Sequence, residues 1–329
     1  MGIMGARLRS GALMGCFAVS ILAGANLQAQ QRAQAPAPAP MVKENATKKI
    51  APHTWVIPDN NVPAVPNVGI IVGSRATLVI DPGLGVRNGQ AVLREVAKVS
   101  KNTEMYVVTT HFHPEHASGV AAFPATAKYI VSQAQQIDLN ELAPAMATQF
   151  AARTPMMGEL LKGATFRKAD ISFDKTYDLD LGGVKVQLMA VGPTHTRGDT
   201  VAWVMDEKDG VIFAGDVIMN QTIVAYGQYS STKAWMDALV ALARLRPAEQ
   251  ENPAIVVPSH GAVGTANLIA YQRGFFQGVQ ARVRELKDQG KPEPEILMTV
   301  TDEFKGRYSM WTATDRIAAI VSNVYQEMR

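Results

Sequence analysis

Cysteine is almost missing from this chain. Cys16 is the only one in 329 residues, and it lies in the leading segment. A mature chain starting beyond that segment holds no thiol, which excludes disulfide staples and cysteine nucleophiles even in an oxidising compartment. Aromatic residues are scarce at 7%, yet the apolar fraction is 47%, so a sizeable core is available and disorder is not the default. No repeat of fixed period is visible. No Gly-x-Ser-x-Gly nucleophile elbow is present. "GLGVRNG" has the wrong glycine spacing for a nucleotide loop, and no Lys-Ser/Thr follows it. Histidine is also rare, with six in the chain, which makes the placement of each one informative.

The leading apolar run, "GALMGCFAVSILAGA", is short for a membrane span. Arg7 and Arg9 precede it, and "LQA" ending at Ala29 offers a small-residue cleavage site. Residues 1–29 are expected to be a signal peptide removed on bacterial export, with an uncleaved anchor as the alternative. The mature protein is then periplasmic or secreted, with no stable membrane insertion. The apolar stretch before Cys16 is too short for a lipoprotein signal. Removing residues 1–29 takes away two arginines and no acid, so the formal charge falls from +3 to +1. The basic character belongs partly to the leader, and no basic patch invites nucleic acid. "QQRAQAPAPAPMVKENATKK" reads as an extended Ala/Pro-rich spacer, disordered over 30–49, ahead of a fold spanning 50–329.

From His53 onward, short Val/Ile-rich runs alternate with helical patterns. "NVGIIVG", "ATLVIDPG", "EMYVVTT" and "KYIV" predict strands, as do "VKVQLMAVG", "DTVAWVMD", "GVIFAGDVI" and "AIVVPSHG". Residues 89–99 predict a helix with Val92, Leu93, Val96 and Val99 on one face, and another helix starts near Thr232 with Trp235, Leu239 and Leu242 inward. Residues 132–165 lack strand character and predict a helical insertion; its methionines suit either core or a pocket wall. "FDKTYDLDLGG" predicts a solvated hairpin. Residues 265–329 predict a helical C-terminal segment, with Thr265 as N-cap. Leu268, Tyr271, Phe275, Val279 and Leu286 share one face of it, and Ile317, Ile320, Val321 and Val324 form a second stripe. No linker follows residue 50, so one α/β domain is expected.

The chemistry concentrates in "HFHPEH". Alternate residues of an extended segment point the same way, so His111 and His113 can reach one ion. Pro114 turns the chain, and Glu115 and His116 can aim at a second point nearby. One segment cannot complete two zinc sites of roughly four ligands each. Three further candidates follow strand-like runs: His195 in "GPTHTRGD", Asp216 in "AGDV" and His260 in "PSHG". The sixth histidine, His53, lies in "APHTW" near the start of the fold and reads as a surface or packing residue.

The ordered set "IDPG", "HFHPEH", "GPTHTRGD", "AGDV" and "PSHG" resembles the metallo-β-lactamase superfamily over about residues 53–262. That resemblance implies an αββα sandwich with its metal centre at one edge. It implies that His111, His113 and His195 hold a first metal, that Glu115, His116 and His260 hold a second, and that Asp216 bridges them. Asp81 is then a buried carboxylate that holds the loops. The superfamily usually has Asp at position 115, and Glu is longer by about 1.5 Å, whereas metal–ligand distances tolerate about 0.2 Å. Glu115 is therefore expected either as a ligand in an adapted loop or as a general base beside a weak second site.

The expected activity is that of an exported, binuclear zinc hydrolase. It would use a metal-bound hydroxide on a small ester, lactone, thioester or amide. The alternatives are a B3-like class B β-lactamase and an iron-dependent oxidase or dioxygenase of the same fold, since iron accepts the same ligands. The expected partner is a small-molecule substrate.

Overall fold

A computed structural model describes residues 38–205, 210–245 and 254–329. The expected signal peptide and the first part of the expected spacer lie outside the described residues. The account below concerns the compact unit Ala39–Arg329.

Two sheets carry the architecture. The first has seven strands in sequence order: β1 (Lys48–Ala51), β2 (Thr54–Ile57), β3 (Val68–Val72), β4 (Ala76–Ile80), β5 (Glu104–Val108), β6 (Lys128–Ser132) and β7 (Ile171–Phe173). The second has six, in the order β13 (Gly264–Thr265), β12 (Ile255–Val257), β11 (Val211–Phe213), β10 (Thr200–Val204), β9 (Lys185–Ala190) and β8 (Thr176–Asp180). The central strands β3, β4, β10 and β11 are buried on both faces, which is why they read as near-continuous apolar runs.

Their alternation sorts the core into layers. Leu78, Ile80, Val108 and Ile130 of the first sheet meet Leu188, Ala202, Val204, Phe213 and Val257 of the second. The intervening Val79, Val107, Tyr129 and Val131 point outward, under α1 (Gly85–Val99) and under α3 (Gln133–Glu141) and α4 (Ala143–Ala151). Val201, Ile212 and Val256 point outward from the second sheet. They pack against α6 (Thr232–Leu242), α7 (Asn267–Asp288), α8 (Glu293–Arg307) and α9 (Ile317–Glu327). The order is helices, sheet, sheet, helices: the αββα sandwich with a helical C-terminal segment. Gly69 permits the close approach of the sheets, because a Cβ there would overlap the Phe213 ring. Among the described residues no helix is long and apolar enough to cross a membrane.

Several expectations need correction. Residues 38–49 are packed rather than a free spacer. Val42 is buried, and Asn88 accepts from its N–H and donates to the Pro40 carbonyl. The buried Glu95 carboxylate accepts from Asn45 N–H and Thr47 Oγ1. Polar residues of α1 thus hold a segment whose composition suggested none. "FDKTYDLDLGG" is not one solvated hairpin. Phe173 ends the first sheet, Thr176–Asp180 forms the edge strand of the second, and Phe173, Leu179 and Leu181 enter the inter-sheet core. Tyr271 is 62% exposed, off the buried face of α7, and the N-cap of α7 is Ala266, not Thr265. The stripe in α9 is buried as expected.

Candidate metal centre

Each functional side chain follows the C-terminal end of a strand. β9, β11 and β12 run in one direction, because β10 is antiparallel to β9 and to β11, while β12 is parallel to β11. Their trailing loops, which carry His195, Asp216 and His260, therefore open at one edge of the second sheet. β4 and β5 are parallel in the first sheet and deliver Asp81 and the histidine cluster. β5 ends at Val108, three residues before His111, so strand alternation does not aim His111 and His113. The loop does, and the short helix α2 (Pro114–Ala117), with Pro114 in its first turn, places Glu115 and His116.

Backbone and side-chain bonds between the sheets fix the two groups of loops against each other. Thr200 N–H donates to the Thr110 carbonyl at 2.7 Å, and Asn67 N–H to the Ser259 carbonyl at 2.7 Å. Asn67 Nδ2 donates to both Pro258 and Gly261 carbonyls at 2.8 Å, and Gly261 N–H donates to Asp59 at 2.7 Å. Gly215, at φ +56°, lies where a Cβ would strike the Thr110 side chain, so this glycine is required by both its conformation and its neighbour.

The seven candidate ligands converge in two groups. His111, His113, His195 and Asp216 offer donor atoms within 4.8 Å of one another, and so do Glu115, His116 and His260. Asp216 faces both. Its Oδ2 lies 3.5 Å from His195 Nε2 and 4.0 Å from His111 Nε2. Its Oδ1 lies 3.5 Å from His116 Nε2 and 4.0 Å from His260 Nε2. His113 Nδ1 is 3.3 Å from His195 Nε2 and 3.9 Å from Glu115 Oε1. Ligands bound to one tetrahedral zinc at 2.0–2.1 Å stand about 3.3 Å apart, so these separations suit donors around a shared cation. His53 takes no part; its Nδ1 lies 3.1 Å from the Val72 carbonyl, away from the cluster.

The outer nitrogens are committed, which orients the inner ones. His116 Nδ1–H donates to Asp81 Oδ2 at 2.9 Å, and His195 Nδ1–H to the Ala225 carbonyl at 2.9 Å. Thr110 gives its hydroxyl proton to Asp81 and so accepts from His111 Nδ1–H at 3.2 Å. In the neutral imidazole each of these Nε2 atoms then turns a lone pair toward the centre. His111 Nε2, His116 Nε2 and Glu115 Oε2 are buried with no hydrogen-bond partner. Orphaned polar atoms are rare inside proteins, and three at one centre fit a divalent metal held by this donor set.

The protonation states of His111, His113 and Asp216 agree with that reading, whereas a cation at His116 must displace its Nε2 proton. Burial, reinforced by neighbouring imidazoles, holds His111 and His113 well below the ordinary imidazole range. Burial alone would raise Asp216, but His111, His195, His116 and His260 hold its carboxyl well below the usual carboxylate range. Burial raises Glu115 despite the neighbouring His116. Burial pulls His116 down, but Asp81, Asp216 and Glu115 outweigh it and raise the metal-free imidazole to about 9.

With this geometry in view, comparison with known proteins is decisive at the level of family. Residues 62–260 match the profile of the Metallo-beta-lactamase superfamily. The chain belongs to that superfamily. Among curated relatives, the chain is 24% identical over 218 residues to a linear primary-alkylsulfatase from a Pseudomonas species, covering 58% of this chain and 40% of that protein. It is 25% identical over 179 residues to the human acyl-coenzyme A thioesterase MBLAC2, covering 50% of this chain and 62% of that protein. The matches thus span about two fifths to three fifths of these relatives' lengths. Among solved structures, a metallo-beta-lactamase from Pontibacter korlensis superposes with a TM-score of 0.55 at 18% identity, covering 70% of this chain and 98% of the other. A double mutant of the sec-alkyl sulfatase PisA1 superposes with a TM-score of 0.64 at 15% identity, covering 86% and 50%. These likenesses establish the fold.

The structure brings together the seven residues singled out from the sequence, with Asp81 behind them, but it adds supports that the sequence reading did not name. Ser259 donates to Asp216 Oδ1. Asp199 ties its own loop by accepting from the backbone and hydroxyl groups of Thr194 and Thr196, around His195. Both residues sit inside motifs already singled out. Asp59 and Asn67 lie far from any motif, and only the folded register reveals them.

Proposed function

We propose that this protein is an exported hydrolase that uses two zinc ions to cleave a small ester, lactone, thioester or amide. The observation that carries the reading is the Asp216 carboxylate, whose two oxygens address two separate groups of largely buried donors, three of whose atoms are unpartnered. His111, His113 and His195 would hold one cation, Glu115, His116 and His260 the other, with Asp216 shared. Zinc bound there supplies an acidified water as nucleophile and a Lewis acid for developing negative charge.

The chain's own groups do the positioning. Asp81, Thr110 and the Ala225 carbonyl keep the imidazole protons on the outer nitrogens, so the inner lone pairs are preserved. Glu115 sits with Oε1 toward His113 and Oε2 unpartnered. From that position its carboxylate could hold the second cation or, if that site is weak, take a proton from water and pass it to the leaving group. Glu115 reaches donor distance of His116 and His260, which supports its role as a ligand despite its extra methylene. The alkylsulfatase and the acyl-CoA thioesterase among the relatives support a substrate of ester type.

The test is a panel of esters, lactones, thioesters, amides and β-lactams, assayed with metal content measured on the same sample. Two zinc per chain with ester or thioester turnover that a chelator abolishes is the expected result. Iron with oxygen uptake, or turnover untouched by metal loss, would reject the proposal. The periplasmic location is tested separately, by fractionating cells that express the full chain.

A further inference from the structure

The helical insertion brings one cation to the rim of the metal centre. α4 packs against α2, the helix that carries Glu115 and His116. Near the end of α4, the Phe150 ring lies 6.2 Å from the His113 ring, centre to centre. Phe150 is itself buried, among Leu84, Met157, Leu160 and Leu161. Arg153 follows in the short link to α5 (Pro155–Leu160), and its guanidinium carbon sits 3.5 Å over the Phe150 ring. One aromatic ring therefore separates a guanidinium from a ligand imidazole.

This arrangement is built rather than casual. Arg153 N–H donates to the Phe150 carbonyl at 3.0 Å. The next residue, Thr154, caps α5 by accepting from Met157 N–H at 3.1 Å, and Pro155 opens that helix. The backbone on both sides of Arg153 is thus fixed, while its side chain is exposed. Stacking on an aromatic face holds a guanidinium flat and leaves its N–H edge free to donate. Among the described residues no carboxylate pairs with Arg153. Arg197, on the loop of His195, is by contrast committed to Asp138 and Glu141.

We infer that Arg153, seated on Phe150, is the specificity-determining residue of this site and selects substrates that carry an anionic group, carboxylate or sulfate, near the bond to be cut. This rests on the hydrolase reading for the bond, but not for the recognition. A planar guanidinium presents two parallel N–H donors to two oxygens of such a group. A lysine would keep the charge and lose both the stacking and the fork.

The experiment compares wild type with Arg153→Ala, Arg153→Lys and Arg153→Glu, all metal-loaded. Turnover is measured on two 4-nitrophenyl esters, the neutral acetate and the anionic monosuccinate. In parallel, calorimetry measures binding of hexane-1-sulfonate, which is not hydrolysed. Wild type should prefer the anionic ester, and Arg153→Glu should lower the anionic-to-neutral ratio of kcat/KM by about tenfold at low salt. The ratio in wild type should fall as salt rises, because the guanidinium is exposed to screening. Sulfonate binding should weaken by about tenfold in Arg153→Glu, with Arg153→Lys between it and wild type. An unchanged ratio together with unchanged sulfonate affinity overturns the inference. If wild type cleaves neither ester, the ester branch of the hydrolase reading fails, and the sulfonate titration alone decides on Arg153. A shared fall in thermal stability among the variants would show a structural role instead and would also overturn it.

Discussion

On the two-metal proposal, replacing Asp81 with asparagine should weaken the group of Glu115, His116 and His260 and spare that of His111, His113 and His195. Asp81 is 2% exposed and spends one oxygen on Thr110 N–H at 2.7 Å. The other oxygen accepts from Thr110 Oγ1 at 2.8 Å and His116 Nδ1–H at 2.9 Å. An amide has one acceptor where the carboxylate has two. Whichever way it turns, either His116 or Thr110 faces another donor. The cheapest relief for His116 is to move its proton to Nε2, the nitrogen that addresses Asp216 Oδ1 at 3.5 Å. That blocks a ligand. Loss of such an outer partner lowers metal affinity by about 10–100-fold, and here the loss should fall on the group of Glu115, His116 and His260.

The same variant has a signature in the metal-free protein. His116 is raised from 6.5 to about 9 there, with burial opposing and Asp81 the foremost favourable charge. That displacement corresponds to about 3 kcal/mol. A folded-state pKa above the unfolded value means that the contribution is complete below about pH 6.5 and disappears as pH rises through about 9. Chelator-treated wild type should therefore lose stability between pH 6.5 and 9 in urea titrations. The asparagine variant should be weaker at pH 6.5 and decline less steeply, since Asp216 and Glu115 alone remain to favour the cation. Competition against a chromophoric chelator reads the metal arm. Wild-type affinity for both cations, combined with a wild-type pH slope, would refute the reasoning.

Glu115→Gln should remove a charge that the second cation needs and lower kcat by about 100-fold, with metal analysis showing closer to one ion than two. Full turnover at full metal content would argue that Glu115 neither binds nor shuttles. Asn67→Ala leaves the Pro258 and Gly261 carbonyls without a donor and Asp59 N–H without an acceptor, at about 1–3 kcal/mol for each stranded group. Thermal unfolding should show a clear loss of Tm, and metal analysis a weakened hold on the cation near His260. Gly198→Ala would drive a Cβ into the Gln135 backbone at the start of α3. A cost of about 1–3 kcal/mol in chemical denaturation is expected, with His195 displaced from the cluster.

The sequence made the candidate ligands legible because each follows a strand-like run and lies within three residues of a glycine or proline, a pattern that survives without coordinates. It made the layers partly legible. Strand positions were plain from Val/Ile runs, but a run buried on both faces carries no period, so which residue meets the other sheet had to come from the register. The packed segment at 38–49 was hidden for a different reason. Its hold on the body comes from Asn88 and Glu95 on the buried side of α1, and polar residues in an amphipathic pattern read as solvent-facing. The bend after β5 was hidden as well. His111 and His113 look like alternate strand residues, yet the ladder has already ended at Val108.

The cluster is divided between the two sheets, and this constrains how the site can form. His111, His113, Glu115 and His116 ride on the first sheet; His195, Asp216 and His260 ride on the second. Neither sheet alone carries a complete ligand set. The donors meet only when Leu78, Ile80 and Val108 pack on Leu188, Ala202 and Phe213, and when Thr200 and Asn67 reach across to Thr110 and Ser259. A metal bound by both halves therefore favours the closed sandwich over any opened form, by the linkage between ligand binding and folding. The inter-sheet core in turn fixes the ligand spacing before a metal arrives. Folding and metal binding in this protein share one interface, and the orphaned nitrogens at its edge mark where the two meet.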